Sequence, residues 1–390
     1  MKKKILMTAM LVPLGASVTH LAHAQSSVTL YGLIDAGVSY VSNVKDSTGG
    51  SSHAFQYGDG VASGSRWGLR GTEDLGGGLK AIFVLESGFN SGTGAAGQGG
   101  ALFGRQAYVG LQSKDVGTVT FGRQYALTVD VLGGNYSTGA NTAAGNYAWH
   151  VNDVDQLTSS RINNAVKFSS ANFAGLTFGG LYGFSNQAGA FAGAPATGTA
   201  GGSSRAYSFG ANYANGPFSI GAAYTDINYP SQASPAFSTA LAGASTGTIR
   251  ELRTFGVGGR YTVGPAMLWA LWTNTLFSPL SGSSTLYNAY DAGGRYAFNT
   301  ALYGGLGYTY SRASGSFAGH WNQLNAVVDY SLSKRTDVYL LGIYQRASGQ
   351  DANGAALQAQ IGTSTSSFFQ PSGPGANKQI AARVGIRHRF

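Results

Sequence analysis

The segment Gln379-Ile380-Ala381-Ala382-Arg383-Val384-Gly385-Ile386-Arg387-His388-Arg389-Phe390 decides the fold. One parity carries Gln379, Ala381, Arg383, Gly385, Arg387 and Arg389, and the other carries Ile380, Ala382, Val384, Ile386, His388 and Phe390. Successive side chains of a strand take opposite faces, so three arginines line one side while aliphatics and a terminal aromatic cover the other. A helix would scatter these groups. The alternation suits a half-buried soluble strand too, but this strand is the last of many behind an export signal, and it predicts a wall between lipid and water.

Residues 1–24 read as that signal. Lys2, Lys3 and Lys4 precede an apolar run from Ile5 to Leu14, and Ala22-His23-Ala24 forms a small-x-small cleavage site, too short and wrongly flanked for a membrane anchor. The mature domain is then 25–390. No acid precedes Gln25, so removing three lysines takes the formal charge from +9 to about +6. Beyond the signal no run of eighteen apolar residues occurs, which excludes a helical membrane protein. With 22 Tyr, 20 Phe and 5 Trp against 11% charged residues, the chain has ample apolar surface to hide, and 60 Gly in 390 residues argue against long helices. A mean hydropathy of -0.04 without an apolar block means that apolar and small polar residues are interleaved. A barrel wall in lipid requires that interleaving. Cysteine is absent, which removes disulfide stapling and thiolate-metal chemistry together.

Short connections that each contain a turn-forming residue (Gly, Pro, Asn, Asp or Ser) fall at 74–77, 114–117, 169–174, 215–217, 263–265, 298–300 and 333–335. Longer Gly/Ser/Ala/Asn stretches lie at 42–64, 89–102, 127–160, 186–203, 229–250, 277–285, 312–319 and 348–377. Seven turns and eight loops make about fifteen connections and hence about sixteen strands, an even number that closes an antiparallel barrel. The expected fold is all-β, a closed transmembrane barrel too wide for its side chains to fill, which leaves an aqueous lumen. The segments 266–276 and 337–345 are apolar on both parities, as expected where a wall meets another subunit or a packed loop.

Two residue groups are candidates for selectivity. The loop from Leu127 to Ser160 contains Asp130, Asp153 and Asp155 and no Lys or Arg; it is either exposed and mobile or folded into the lumen, with Tyr136, Tyr147 and Trp149 as anchors. Arg66, Arg70, Arg105, Arg123, Arg161, Arg205, Arg260, Arg295 and Arg383 lie in or beside wall segments. A lipid-facing charge there would cost about 2 to 4 kcal/mol near the midplane, so they should face water. Arg105 and Arg123 share parity with outward apolar residues, which a bulge or a position beyond the hydrocarbon would reconcile. Enzymatic signals are poor. Gly243-Ala244-Ser245-Thr246-Gly247 matches G-x-S-x-G without the strand-turn-helix context that exposes a nucleophile, and His53, His150, His320 and His388 have no metal-ligand spacing. Neither catalysis, a cofactor, a metal nor nucleic acid is expected.

Several stretches resemble the general porins of the Gram-negative outer membrane, of the betaproteobacterial trimeric type. They are Ser27–Gly37, Ser65–Ala81, Phe103–Leu111, Gly117–Gln124, Tyr330–Thr336 and the terminal Phe390. The resemblance implies a sixteen-strand homotrimeric barrel whose third loop folds inward, and a Phe390 read by the outer-membrane assembly machinery. It implies wall arginines (Arg66, Arg70, Arg105 and Arg123 foremost) facing loop acids (Asp130, Asp153 and Asp155), with Asp35 and Glu86 as inward partners. Val84 stands where such porins usually carry a polar residue, so that strand's inward polarity is open. The function so implied is passive diffusion of small hydrophilic solutes and ions, in contact with lipid and lipopolysaccharide, and the net positive mature charge and the wall arginines add the expectation of mild anion preference. A substrate-specific channel, a barrel enzyme and a plugged adhesin are the alternatives.

Overall fold

The computed structural model describes residues 27–196, 202–230, 241, 248–351, 353–363 and 372–390. The signal segment and the G-x-S-x-G motif lie outside them. The strands are β1 (Ser27–Lys45), β2 (Ser51–Asp59), β3 (Arg66–Gly76), β4 (Leu79–Gly88), β5 (Gln106–Ser113) and β6 (Gly117–Tyr125). After the long third loop come β7 (Arg161–Ser170), β8 (Leu176–Gly183), β9 (Arg205–Asn215), β10 (Phe218–Asn228), β11 (Ile249–Val263) and β12 (Ala266–Pro279). The wall closes with β13 (Thr285–Ala297), β14 (Leu302–Gly315), β15 (Ala318–Ser331), β16 (Thr336–Gln350) and β17 (Lys378–Arg389).

Neighbours pair antiparallel throughout, and β17 returns to β1 in register from Leu33 opposite Arg389 to Val41 opposite Ala381. The sheet is closed, so no edge is left to pair with another chain. The seventeen segments make sixteen staves. On the edge of β1 away from β17, β2 covers Ala36–Lys45 and β3 covers Ser27–Leu33, so these two lie end to end as one stave interrupted at 60–65.

All seven short turns appear where the sequence places them, but two loop expectations are corrected. Much of 42–64 is strand β2, and 312–319 is strand apart from Ser316 and Phe317. Their Gly, Ser and His residues have weak strand propensity, but both neighbouring ladders supply hydrogen-bond partners that override it.

The apolar core lies inside the barrel. Leu127, Val131, Leu132, Tyr136 and Leu157 of the third loop pack with Leu181, Ala223 and Leu271 of the wall. Ala143, Ala144 and Tyr147 pack with Val41, Val327 and Leu341, and Val151 and Val154 join Phe277, Tyr287 and Trp321. This accounts for the doubly apolar segments. Leu268 and Leu340 face lipid, while Trp269, Leu271, Tyr339, Leu341 and Ile343 face the packed loop. Inward glycines give the loop its bed. A Cβ on Gly258 would meet Tyr136 Cβ at 2.5 Å, and one on Gly307 would meet Thr138 Oγ1 at 2.3 Å.

Candidate functional site

The third loop enters the lumen as a helical turn, Thr128–Gly133, followed by a short helix, Thr138–Asn141, with Ser137 capping the Ala140 N–H at 3.2 Å. Wall groups hold it almost all the way round. Ser208 accepts from the Leu127 N–H at 2.9 Å, Tyr136 reaches Ser219 at 2.6 Å, and the Tyr147 hydroxyl donates to Ser39 at 3.1 Å. Asp291 on β13 accepts from the Thr138 N–H at 2.7 Å, the Thr138 hydroxyl at 2.6 Å and the Trp269 indole at 3.3 Å. The loop tip meets the interruption between β2 and β3, where the Asn146 N–H donates to the Val61 carbonyl at 2.7 Å. Gly145 permits that approach, since its φ is +48° and a Cβ there would lie 2.2 Å from the Val61 carbonyl.

The loop therefore packs on β7 to β17 and reaches β1, whereas β3 to β6 take no part in these clusters, and the passage runs on their side. On that wall Arg66, Arg70 and Tyr31 point inward with Glu86. Glu86 accepts from Arg105 Nε at 2.7 Å and the Tyr31 hydroxyl at 3.0 Å, and lies 3.9 Å from Arg66. Arg70 stacks over the Tyr31 ring at 5.3 Å. Arg161 donates to the Tyr125 hydroxyl at 3.0 Å and lies over its ring at 4.9 Å. Four arginines and Lys167 thus face two acids, Glu86 and Asp130, a formal balance of +3 (5 − 2). The inward polarity of β4 rests on Glu86, which partners arginines while Val84 lies opposite Arg70.

The parity conflict has two different resolutions. Arg105 precedes the first residue of β5, so the outward series of Val109 and Leu111 does not bind it. Arg123 sits where β7 carries one extra residue against β6, and it donates to the Gly104 carbonyl at 2.8 Å and to Asn163 at the rim.

Two placements correct the expected pattern of basic wall against acidic loop. Arg383 is 1% exposed and donates to the Tyr339 hydroxyl at 2.9 Å and the Gly58 carbonyl at 2.9 Å, with Asp35 at 3.5 Å. It is an internal strut that ties β17 to β1, β2 and β16. Asp153 and Asp155 are buried within the loop. Asp153 accepts from the Ser159 hydroxyl at 2.6 Å, and Asp155 from the Thr273 hydroxyl at 2.6 Å, beside His150 at 2.5 Å. The reason is local, because Asn152, Asp153 and Gln156 all have positive φ and fold the tip back on its own carboxylates. Asp130 alone reaches the passage, paired with Lys167. Sequence reasoning missed Lys167, Tyr125 and the β2–β3 interruption. The run Gly60-Val61-Ala62-Ser63-Gly64-Ser65 was the available signal. Phe390 closes the β1 ladder, exchanging backbone hydrogen bonds with Gly32 at 3.0 and 3.1 Å.

The buried loop charges predict a pH response. Burial alone would lower the His150 pKa, but Asp155 and Asp291 carry it up to about 10, while burial raises Asp153 to about 7. A raised folded pKa stabilises the docked loop below the free-chain value and loses that support as pH rises through the folded one. Asp153 withdraws support between about pH 4 and 7, and His150 between about 6.5 and 10. Amide exchange protection across 143–158 is expected to fall monotonically from pH 5 to 10. Constant protection would contradict the assignment.

A family model described as Gram-negative porin matches residues 8–350. The chain belongs to that family. It is 33% identical over 427 residues to an outer membrane porin protein of Bordetella pertussis, and 32% identical over 400 residues to outer membrane porin protein 32 of Delftia acidovorans, with each chain covered in full. Among solved structures, an anion-selective porin from Comamonas acidovorans superposes with a TM-score of 0.73 at 24% identity, covering 94% of this chain and 100% of that one. The protein is an outer-membrane porin that crosses the bilayer many times as a β-barrel, and its relatives are channels rather than enzymes.

Proposed function

We propose that this porin is an anion-preferring diffusion channel for small hydrophilic solutes and ions. The observation that carries the reading is the +3 balance on the wall beside the passage, opposite a loop whose other two acids are buried. Fixed charge along a pore sets which ions partition into it. The description of the Comamonas neighbour as anion-selective agrees with this. The working unit is a homotrimer, as in related porins, embedded in lipid and lipopolysaccharide and delivered by assembly machinery that reads Phe390. Residues 1–24 are removed on export.

Reversal potentials in planar bilayers under a KCl gradient test the preference. The zero-current voltage is expected on the chloride side. A potential of the opposite sign would mean that Arg66, Arg70, Arg105 and Arg161 do not govern permeation.

A further inference from the structure

The outer face of β12 to β16 is not smooth. Register places Leu268, Gly294, Leu306, Ala326 and Gly342 at one level across five strands, so three small residues interrupt the large ones around the wall. Gly304 adds a second small position one step nearer the periplasmic turns. Between the rims made by Tyr296, Phe298, Val328 and Leu340 the surface sinks into an apolar groove of about 820 Å³. A Cβ on Gly342 would have nothing within 4 Å.

Depth and charge identify an occupant. The Val328–Leu340 pair stands three residues above the Ser331–Asp337 pair that bounds the periplasmic turn, about 10 Å at strand rise. That is the depth of the upper acyl chain in the periplasmic leaflet. The turn exposes Lys334 and Arg335, and neither is in an ion pair among the described residues. The neighbouring acid, Asp337, points inward and is taken by Arg387 at 3.0 Å and Arg389 at 2.8 Å. Outward tyrosines at 296, 308, 330 and 344 flank the groove, as aromatic girdles flank lipid-facing wall.

We propose that the groove holds one acyl chain of a periplasmic-leaflet phospholipid, with Lys334 and Arg335 on its phosphate. Native mass spectrometry of the assembled porin, titrated with phosphatidylglycerol, tests this against Ala326→Leu/Gly342→Leu and Lys334→Gln/Arg335→Gln. Wild type is expected to retain phospholipid on each chain. The filled variant should retain about tenfold less at the same lipid concentration, since methylene burial is lost. The turn variant should fall between them, and both should keep wild-type conductance. If the double filling prevents assembly, Gly342→Val gives the same comparison. Equal retention by wild type and filled variant, no retention by wild type, or lipopolysaccharide in place of phospholipid would each overturn the assignment.

Discussion

Replacing Arg66 and Arg161 together with glutamine is expected to lower the anion-to-cation permeability ratio about tenfold at about 0.1 M salt. A unit charge about 6 Å from a permeating ion changes its energy by roughly 0.7 kcal/mol in water, and screening leaves roughly 0.4. Each lost charge then lowers anion partition and raises cation partition by about twofold, and two charges compound to about tenfold. The pair is chosen so that Arg105 stays on Glu86 at 2.7 Å and no buried carboxylate is stranded. The formal balance beside the passage falls from +3 to +1 (3 − 2). Lys334→Gln, on an exposed periplasmic turn, serves as the control and should leave the reversal potential unchanged. An unaltered ratio in the double variant would remove the wall arginines from the account of selectivity.

Asp291→Ala is expected to release the third loop. The carboxylate holds the Thr138 N–H, the Thr138 hydroxyl and the Trp269 indole, and lies 3.7 Å from His150. Removing one partner from a buried charged network costs about 3 to 5 kcal/mol, because the remaining donors and charge lose their solvation substitute. The wall ladder is untouched, so the barrel should keep its heat stability while single-channel conductance rises and becomes noisy. The loop has no Lys or Arg, so trypsin cannot report its release, but chymotrypsin can cut at Tyr136, Tyr147 or Trp149. Asp291→Asn keeps the shape and an acceptor, and should show a smaller effect. Protease resistance and conductance equal to wild type in Asp291→Ala would refute the anchoring role.

The barrel was legible because parity and turn chemistry are local properties. Val28, Leu30 and Val38, like Ile380, Val384 and Ile386, announce their outward face residue by residue, and Pro, Gly and Asn mark the turns. Strand ends were less legible. Ser51 and Ser52 read as loop and pair with Lys45 and Val44 only because β1 is there to receive them. The site was legible in kind but not in arrangement. A sequence reports that Asp153 and Asp155 are charged, not that positive φ at 152 and 153 turns them into the loop. Arg383 looks like its neighbours in the alternation, and only β2, whose Gly58 carbonyl meets it from the other end of the chain, makes it a buried strut. The glycines opposite the loop were the overlooked cue. Their placement on one parity of β10, β11 and β14 marks where loop side chains must approach the wall backbone.

The basic groups beside the passage belong to paired staves, whereas the opposite rim is a single folded segment held by side chains. Bore and most of the polarity therefore answer to separate parts of the polypeptide, Asp130 being the one loop group in the charge balance. A jitter of the inserted segment should modulate current amplitude far more than the zero-current voltage, and changes in one property can accumulate over generations with little effect on the other.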